Sequence, residues 1–373
     1  MKAIGLNLLW LAPGVVGGSE EYTIRVLRAL HETGEAPPVR LYARPELLAT
    51  YPDLAERFAH RTIDMPGSKA ARVATEHSWL AAASRHDVVV HHGGGVVPSV
   101  RSRPALVTVF DLQPLDLPHH FSRIKARWLA AMIPRSVKAA RLTLCPSEFT
   151  ARRVVERFGV DPDRVRVVPP GHEVVTPGVV DEATDRRLRH RFGSFLLLPA
   201  IAYAHKGHAD LVRALDLLRS RHEDLSIVFT GRPGPQSEAI ADLVAELDLG
   251  SRVHVLGRVP AGELDALYRS ASALVFPSAY EGYGVPVAEA FARGCPVITT
   301  EAGSLPEVVG DAGLVVPVGD SQALADAVDR LATERGLAST LRERGLARIR
   351  QASWGEAGSR LARCYRDALD MAG

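Results

Sequence analysis

The apolar residues of this chain fall into two patterns: short unbroken blocks, and segments in which they recur every three or four places. The blocks read as buried strands and the periodic segments as amphipathic helices. Lys2 to Trp10 predicts a buried first strand, residues 11–18 a glycine-bearing loop, and residues 19–31 a helix with Ser19 as N-cap. VRLYA near residue 40, DVVVHH near 88 and ALVTVFDL near 107 predict further strands, with Gly93 to Gly95 ending the second of these and Asp111 the third. Between residues 171 and 191 the composition turns polar, around Pro177 and Gly178, which predicts a linker. The alternation then resumes with SFLLLPAIAY, LSIVFTGRPG, RVHVLGRVP and ALVFP, and an amphipathic helix is predicted over 353–370. Strands alternating with helices suit parallel sheets covered on both faces.

A chain of 373 residues exceeds what one core usually holds, so two α/β domains are expected, over 1–175 and 190–352. Charge is balanced, with 45 basic and 43 acidic residues, but residues 1–170 are net basic and the remainder net acidic. That split predicts a basic face on the first domain and no nucleic-acid partner. Three widely spaced cysteines imply buried thiols in a reducing cytosol, without a disulfide frame or zinc spacing. His91 and His92 are adjacent, not at ligand spacing, and no metal site is expected. No apolar run is long enough to span a bilayer. The start resembles a short signal peptide, yet it runs into a glycine loop and helix with no small-residue cleavage site, so a cytoplasmic place is expected.

The densest chemistry lies between Ala273 and Pro317. A strand empties into a loop holding Glu281, Gly282, Tyr283 and Gly284; Pro286 is expected to open a helix that Gly294 ends. Strand, glycine loop and helix start together make a place for an anion. Glu281 and Glu289 can accept hydrogen bonds from sugar or ribose hydroxyls, or be a turn acid and a solvated helix acid. Gly17 and Gly18 let a diphosphate approach the backbone, or form a plain tight turn. Lys206, before Gly207 and a helix, can reach a phosphate or be a solvated surface charge. Residues 122–141 predict a basic amphipathic helix, preferred as core-facing, with an anionic membrane surface as the other reading.

The run Glu281, Gly282, Tyr283, Gly284, Val285, Pro286, then Glu289, Ala290, Gly294 and Pro296, resembles the donor-site signature of retaining nucleotide-sugar glycosyltransferases of family 4. The resemblance covers nearly the whole chain. It implies the GT-B fold: two facing doubly wound Rossmann-like domains, an active site in the cleft between them, and the last helix, 353–370, packed back on the first domain. It implies transfer of a hexosyl group, with retention, from a nucleoside-diphosphate sugar to an acceptor hydroxyl. By the same resemblance Glu289 binds the ribose, Glu281 contacts the transferred sugar and Lys206 holds the diphosphate. Gly17 and Gly18 lie over the donor phosphates and acceptor, and Gly231, Gly282, Tyr283 and Gly284 line the donor. Asp111 orients the acceptor, or is only a strand-end turn acid. Two positions depart from the family: Phe110 stands where a histidine is usual, and Ile201 where many members have an arginine. Neutralising the phosphates then leans on Lys206, helix dipoles and His205. No catalytic metal or further cofactor is implied. PAIAYAHKGH resembles members acting on mannose or rhamnose, so GDP-mannose is the first expectation, with UDP-, dTDP- and ADP-sugars open. The acceptor is a glycan, a lipid-linked sugar or a small aglycone. The alternatives are a glycoside phosphorylase of the same architecture and a non-catalytic sugar-nucleotide-binding subunit.

Overall fold

β1 (Ile4–Asn7) is buried along its whole length, as are β4 (Val89–His92) and β5 (Ala105–Thr108), so their apolar blocks reflect coverage on both faces. The computed structural model describes residues 3–15, 17–101, 103–173 and 182–371. Lys2 at the start of the first expected strand, and Pro177 and Gly178 in the expected linker, lie outside them. The chain forms two units, Met1–Gly171 with Ala352–Gly373, and His172–Gln351.

In the first unit β2 (Val39–Ala43), β3 (Ala59–Thr62), β6 (Ala140–Cys145) and β7 (Val165–Val167) complete a seven-stranded sheet. Its order is β3-β2-β1-β4-β5-β6-β7, with every pair parallel. In the second unit β8 (Ser194–Pro199), β9 (Leu225–Thr230), β10 (Val253–Val255), β11 (Ala273–Phe276), β12 (Val297–Thr300) and β13 (Gly313–Val316) form a parallel sheet ordered β10-β9-β8-β11-β12-β13. The order reverses between β1 and β4 in one sheet and between β8 and β11 in the other. At such a reversal the connections leave on opposite faces, so a crevice opens at the carboxyl ends of the two strands.

Six helices matter below: α1 (Gly18–Glu32), α2 (Arg123–Ala139), α3 (Glu148–Phe158), α4 (His208–Leu217), α5 (Val285–Ala292) and α6 (Trp354–Asp370). The last packs along α1, with Ala357, Leu361, Ala362, Tyr365 and Ala368 buried. Gly358 makes this close: a Cβ there would sit 2.6 Å from the Ala29 carbonyl carbon. Burying Leu361 alone is worth about 2 kcal/mol. The Tyr365 hydroxyl reaches His91 Nδ1 at 2.9 Å, tying the end of the chain to β4.

Three local expectations shift. Helix α1 starts at Gly18, with Gly17 as N-cap at φ 77°, so Ser19 lies inside the first turn, where its carbonyl accepts from the Thr23 hydroxyl. A positive φ at the cap favours glycine over serine. β5 stops at Thr108, so Asp111 stands beyond the strand and starts the next turn, its Oδ1 accepting from the Gln113 N–H at 2.9 Å. Helix α2 is core-facing mainly in its second half, where Ile133, Ser136 and Val137 are buried; in its first half Ala126 is buried but Ile124 is 84% and Trp128 36% exposed.

Candidate active site

In the second unit the chemistry gathers where the strand order reverses. β8 runs into a short turn, Ala204–Lys206, and Gly207 at φ 69° caps α4. A Cβ on Gly207 would collide with the Pro277 carbonyl, so glycine lets the loop after β8 meet the loop after β11. The two are stitched by backbone: the His205 carbonyl accepts from Ala279 N–H at 2.7 Å and from the Ser278 hydroxyl at 2.9 Å.

That contact places the Lys206 ammonium 2.5 Å from Glu281 Oε1. Ser278 Oγ lies 2.7 Å from the same oxygen. Both charged side chains are largely buried, at 19% and 12% exposure, so the pair acts where water screens little. Its net charge is zero, and two of the three ammonium protons can still serve another acceptor. Lys206 Nζ also lies 5.3 Å from the centre of the Phe276 ring. The Glu281 carbonyl accepts from the N–H and hydroxyl of Ser304, both at 3.1 Å, which holds its loop against the start of the Leu305–Val309 helix.

Glu289 belongs to a neighbouring network. Helix α5 begins at Val285 under Gly284, which has φ 93°, so Pro286 is its second residue instead of its first. Glu289 is therefore more than a turn inside the helix and accepts the Tyr268 hydroxyl at 2.8 Å. Burial, then the Glu289 charge, push the Tyr268 phenol well above its ordinary range, so it remains a donor. Tyr283 bonds His172 Nε2 through its hydroxyl at 3.0 Å and stacks on that ring; burial raises its pKa. Gly231 follows β9 at φ 121°, pressed on the backbone of Ala200 and Ile201. Gly282 lies in the loop between Glu281 and Tyr283. The structure thus brings Lys206 and Glu281 together and puts Glu289 on a separate partner.

Ser304 is placed with Gly303 at a helix start by the GSLPEVVG segment, whereas Ser278, Tyr268 and His172 carry no role in the sequence reading. Of these three only Ser278 had a signal, as a lone hydroxyl between a strand end and the acidic loop. His208, at the first position of α4, is buried, and its pKa falls to about 4 through burial, with Lys206 adding to the effect. It is neutral at physiological pH.

In the first unit Gly17 and Gly18 are exposed at the start of α1. Glu20 is buried and turns back, its carboxylate accepting from the Gly14 N–H at 2.9 and 3.0 Å and from the Tyr51 hydroxyl at 2.8 Å. The loop's own acid thus takes up one amide of the glycine segment. Phe110 packs edge-on against Tyr22 at 5.5 Å and near Trp10 at 5.9 Å, so an aromatic cluster fills that place. His91 and His92 are buried; burial lowers both pKa values to about 3, and His91 Nε2 bonds the Thr108 hydroxyl at 2.7 Å. Among the described residues no three His, Cys, Asp or Glu side chains converge to hold a metal ion. Nor is any helix among them long and apolar enough to cross a membrane.

Two family profiles match the chain: glycosyl transferases group 1 over residues 194–348, and glycosyltransferase family 4 over residues 16–176. Among curated relatives, a D-inositol 3-phosphate glycosyltransferase of Xylanimonas cellulosilytica is 30% identical over 311 residues, 78% of this chain and 71% of that one. O-antigen chain mannosyltransferase B of Escherichia coli is 26% identical over 290 residues, 74% of each chain. The match to a D-inositol 3-phosphate glycosyltransferase of Corynebacterium glutamicum, 32% identical, takes in 58% of this chain and only 54% of that relative. Sucrose-phosphate synthase from Thermosynechococcus elongatus superposes with a TM-score of 0.79 at 20% identity, covering 100% of both chains. Anabaena HepE, solved with UDP-glucose, gives 0.76 at 18% identity over 98% of this chain and 100% of its own. With both profiles, a 30% identical relative and two doubly wound units in agreement, the chain belongs to the glycosyl transferases group 1 family, as a glycosyltransferase of the GT-B fold.

Proposed function

We propose that the protein moves a hexosyl group, mannose first, from a nucleoside-diphosphate sugar to an acceptor hydroxyl, with retention at the anomeric carbon. The carrying observation is the Lys206–Glu281 pair, held where the His205 carbonyl takes the Ala279 N–H and the Ser278 hydroxyl, at the reversal between β8 and β11. The departing diphosphate gains negative charge as the sugar takes on oxocarbenium character. Lys206 meets that charge with protons already fixed in place, so little reorganisation is needed as the bond breaks. Glu281 holds the ammonium before the donor arrives and accepts from sugar hydroxyls afterwards. Glu289 serves the ribose, with Gly231, Gly282, Tyr283 and Gly284 shaping the donor site, and Gly17, Gly18 and Asp111 serve the diphosphate and acceptor. The mannose preference is supported by the E. coli mannosyltransferase and by an MMP α-(1→4)-mannosyltransferase of Mycolicibacterium hassiacum, 28% identical over 359 residues. We place the acceptor among glycans, lipid-linked sugars and small aglycones, and α2 against an anionic membrane on the cytoplasmic side, because its exposed Ile124 and Trp128 stand among Arg123, Lys125 and Arg127.

A thermal-shift screen of GDP-, UDP-, dTDP- and ADP-sugars, followed by transfer assays, tests this reading. GDP-mannose should give the largest rise in Tm and an anomerically retained product. Equal shifts from all four donors, or inversion in the product, would overturn the donor or the stereochemical part.

A further inference from the structure

A hollow of about 660 Å³ lies in the first unit at the outer edge of β7, bounded by α3 and α6. Its size is that of a small-molecule site. Four arginines reach it from three elements: Arg152 on α3, Arg166 on β7, and Arg360 and Arg363 on α6. Among the described residues Arg152 has no hydrogen-bonded or ion-paired partner. Arg166 gives its guanidinium to the carbonyls of Asp163 and Val165, at 2.6 and 3.2 Å, which carry no counter-charge. Arg360 and Arg363 share a single carboxylate oxygen of Glu356, at 2.9 and 3.3 Å. The acids lining the hollow are Glu148 and Asp367, so cations outnumber them.

Apolar side chains line the hollow as well, Val155 and Val167 among them. Cys364 lies there too, but it is buried and burial holds its thiol up at about 11, so the hollow offers binding and no nucleophile. β7 is an edge strand, which raises the question of an added peptide strand. The edge is too short for one. Val165 N–H bonds the Pro162 carbonyl, the Val165 carbonyl is taken by Arg166, and Pro169 has no N–H. Val168 N–H points to Cys145 of β6, so by alternation only Val167 turns its backbone groups outward. A single outward residue does not seat a strand, but its N–H adds one donor for an anion.

We propose that this groove binds a small phosphate-bearing ligand with a compact apolar body, the guanidinium groups taking the phosphate and the valines the body. Guanidinium forks suit phosphate oxygens, and cations from several elements let more than one engage at once. The site shares no residue with those assigned to the donor or acceptor, so it does not depend on the proposed reaction.

Calorimetry on the full chain with 1-naphthyl phosphate tests this, run with and without saturating GDP and UDP so that a nucleotide site is closed. Binding should persist in the presence of nucleotide, vanish with 1-naphthol, and weaken by roughly tenfold or more when Arg152→Glu and Arg363→Glu are combined. Should the doubly reversed chain fail to fold, the Arg152→Ala, Arg363→Ala pair should still weaken binding by about fivefold. No heat of binding, displacement by nucleotide, or unchanged affinity in the folded variant would each overturn the proposal.

Discussion

Lys206 and Glu281 stand 75 positions apart, each in its own motif, and what joins them is the 2.5 Å contact between them. The Glu281 carboxylate keeps the ammonium in place and lowers the cost of leaving it largely buried. Glu289 is different, because it accepts from the Tyr268 hydroxyl, away from the Lys206–Glu281 contact. Removing it should cost nucleotide affinity while leaving Lys206 untouched. Glu289→Ala is expected to weaken GDP or UDP binding by about 1–3 kcal/mol, from lost charged hydrogen bonds, measured by calorimetry. Glu289→Gln keeps an acceptor for Tyr268 and separates that loss from any damage to the fold. Unchanged affinity in both variants would remove Glu289 from the donor site. Glu281 and Lys206 were legible as residues because each stands in a loop after a strand and beside a glycine, while Glu289 was legible only through the motif that follows that loop. Which carboxylate faces the lysine was not, since that depends on two loops meeting.

At the scale of elements, glycine positions decide where the loops go. Gly207 and Gly303 let the loops after β8 and β12 press on the backbone of Pro277 and Glu281, and Gly358 lets α6 lie on α1. Helix periodicity located α2, but its N-terminal half keeps Ile124 and Trp128 exposed. Ile124 and Trp128 beside Arg123, Lys125 and Arg127 suit a surface that is both apolar and anionic. The protein should therefore sediment with vesicles rich in anionic lipid at low salt and be released at high salt. Trp128→Ala with Lys125→Glu should abolish binding, and salt-independent sedimentation would reject the electrostatic account. The apolar and basic residues were visible as a pattern; their exposure was not, because periodicity does not say whether a face meets a core or solvent.

For the molecule as a whole, stability against acid follows from its buried histidines. Burial lowers the pKa of His91 and His92 to about 3, whereas in the unfolded chain each titrates near the ordinary value of about 6.5. Between those values the unfolded chain binds more protons, so their contribution is full above about 6.5 and is lost progressively as the pH falls. Urea midpoints should drop from pH 7 to pH 5, and the drop should be shallower in His91→Gln, while an identical slope would contradict it. The sequence by itself determined the alternation of strands and helices, the two-unit size and the donor-loop signature, because these depend on period, length and glycine placement along the chain. The return of α6 to the first unit was already expected from the resemblance, whereas only tertiary structure decided the strand order, the pairing of Lys206 with Glu281 and the arginine-lined hollow beside β7. Each needs side chains far apart in the chain to share a place, and that is settled by which apolar faces cover one another.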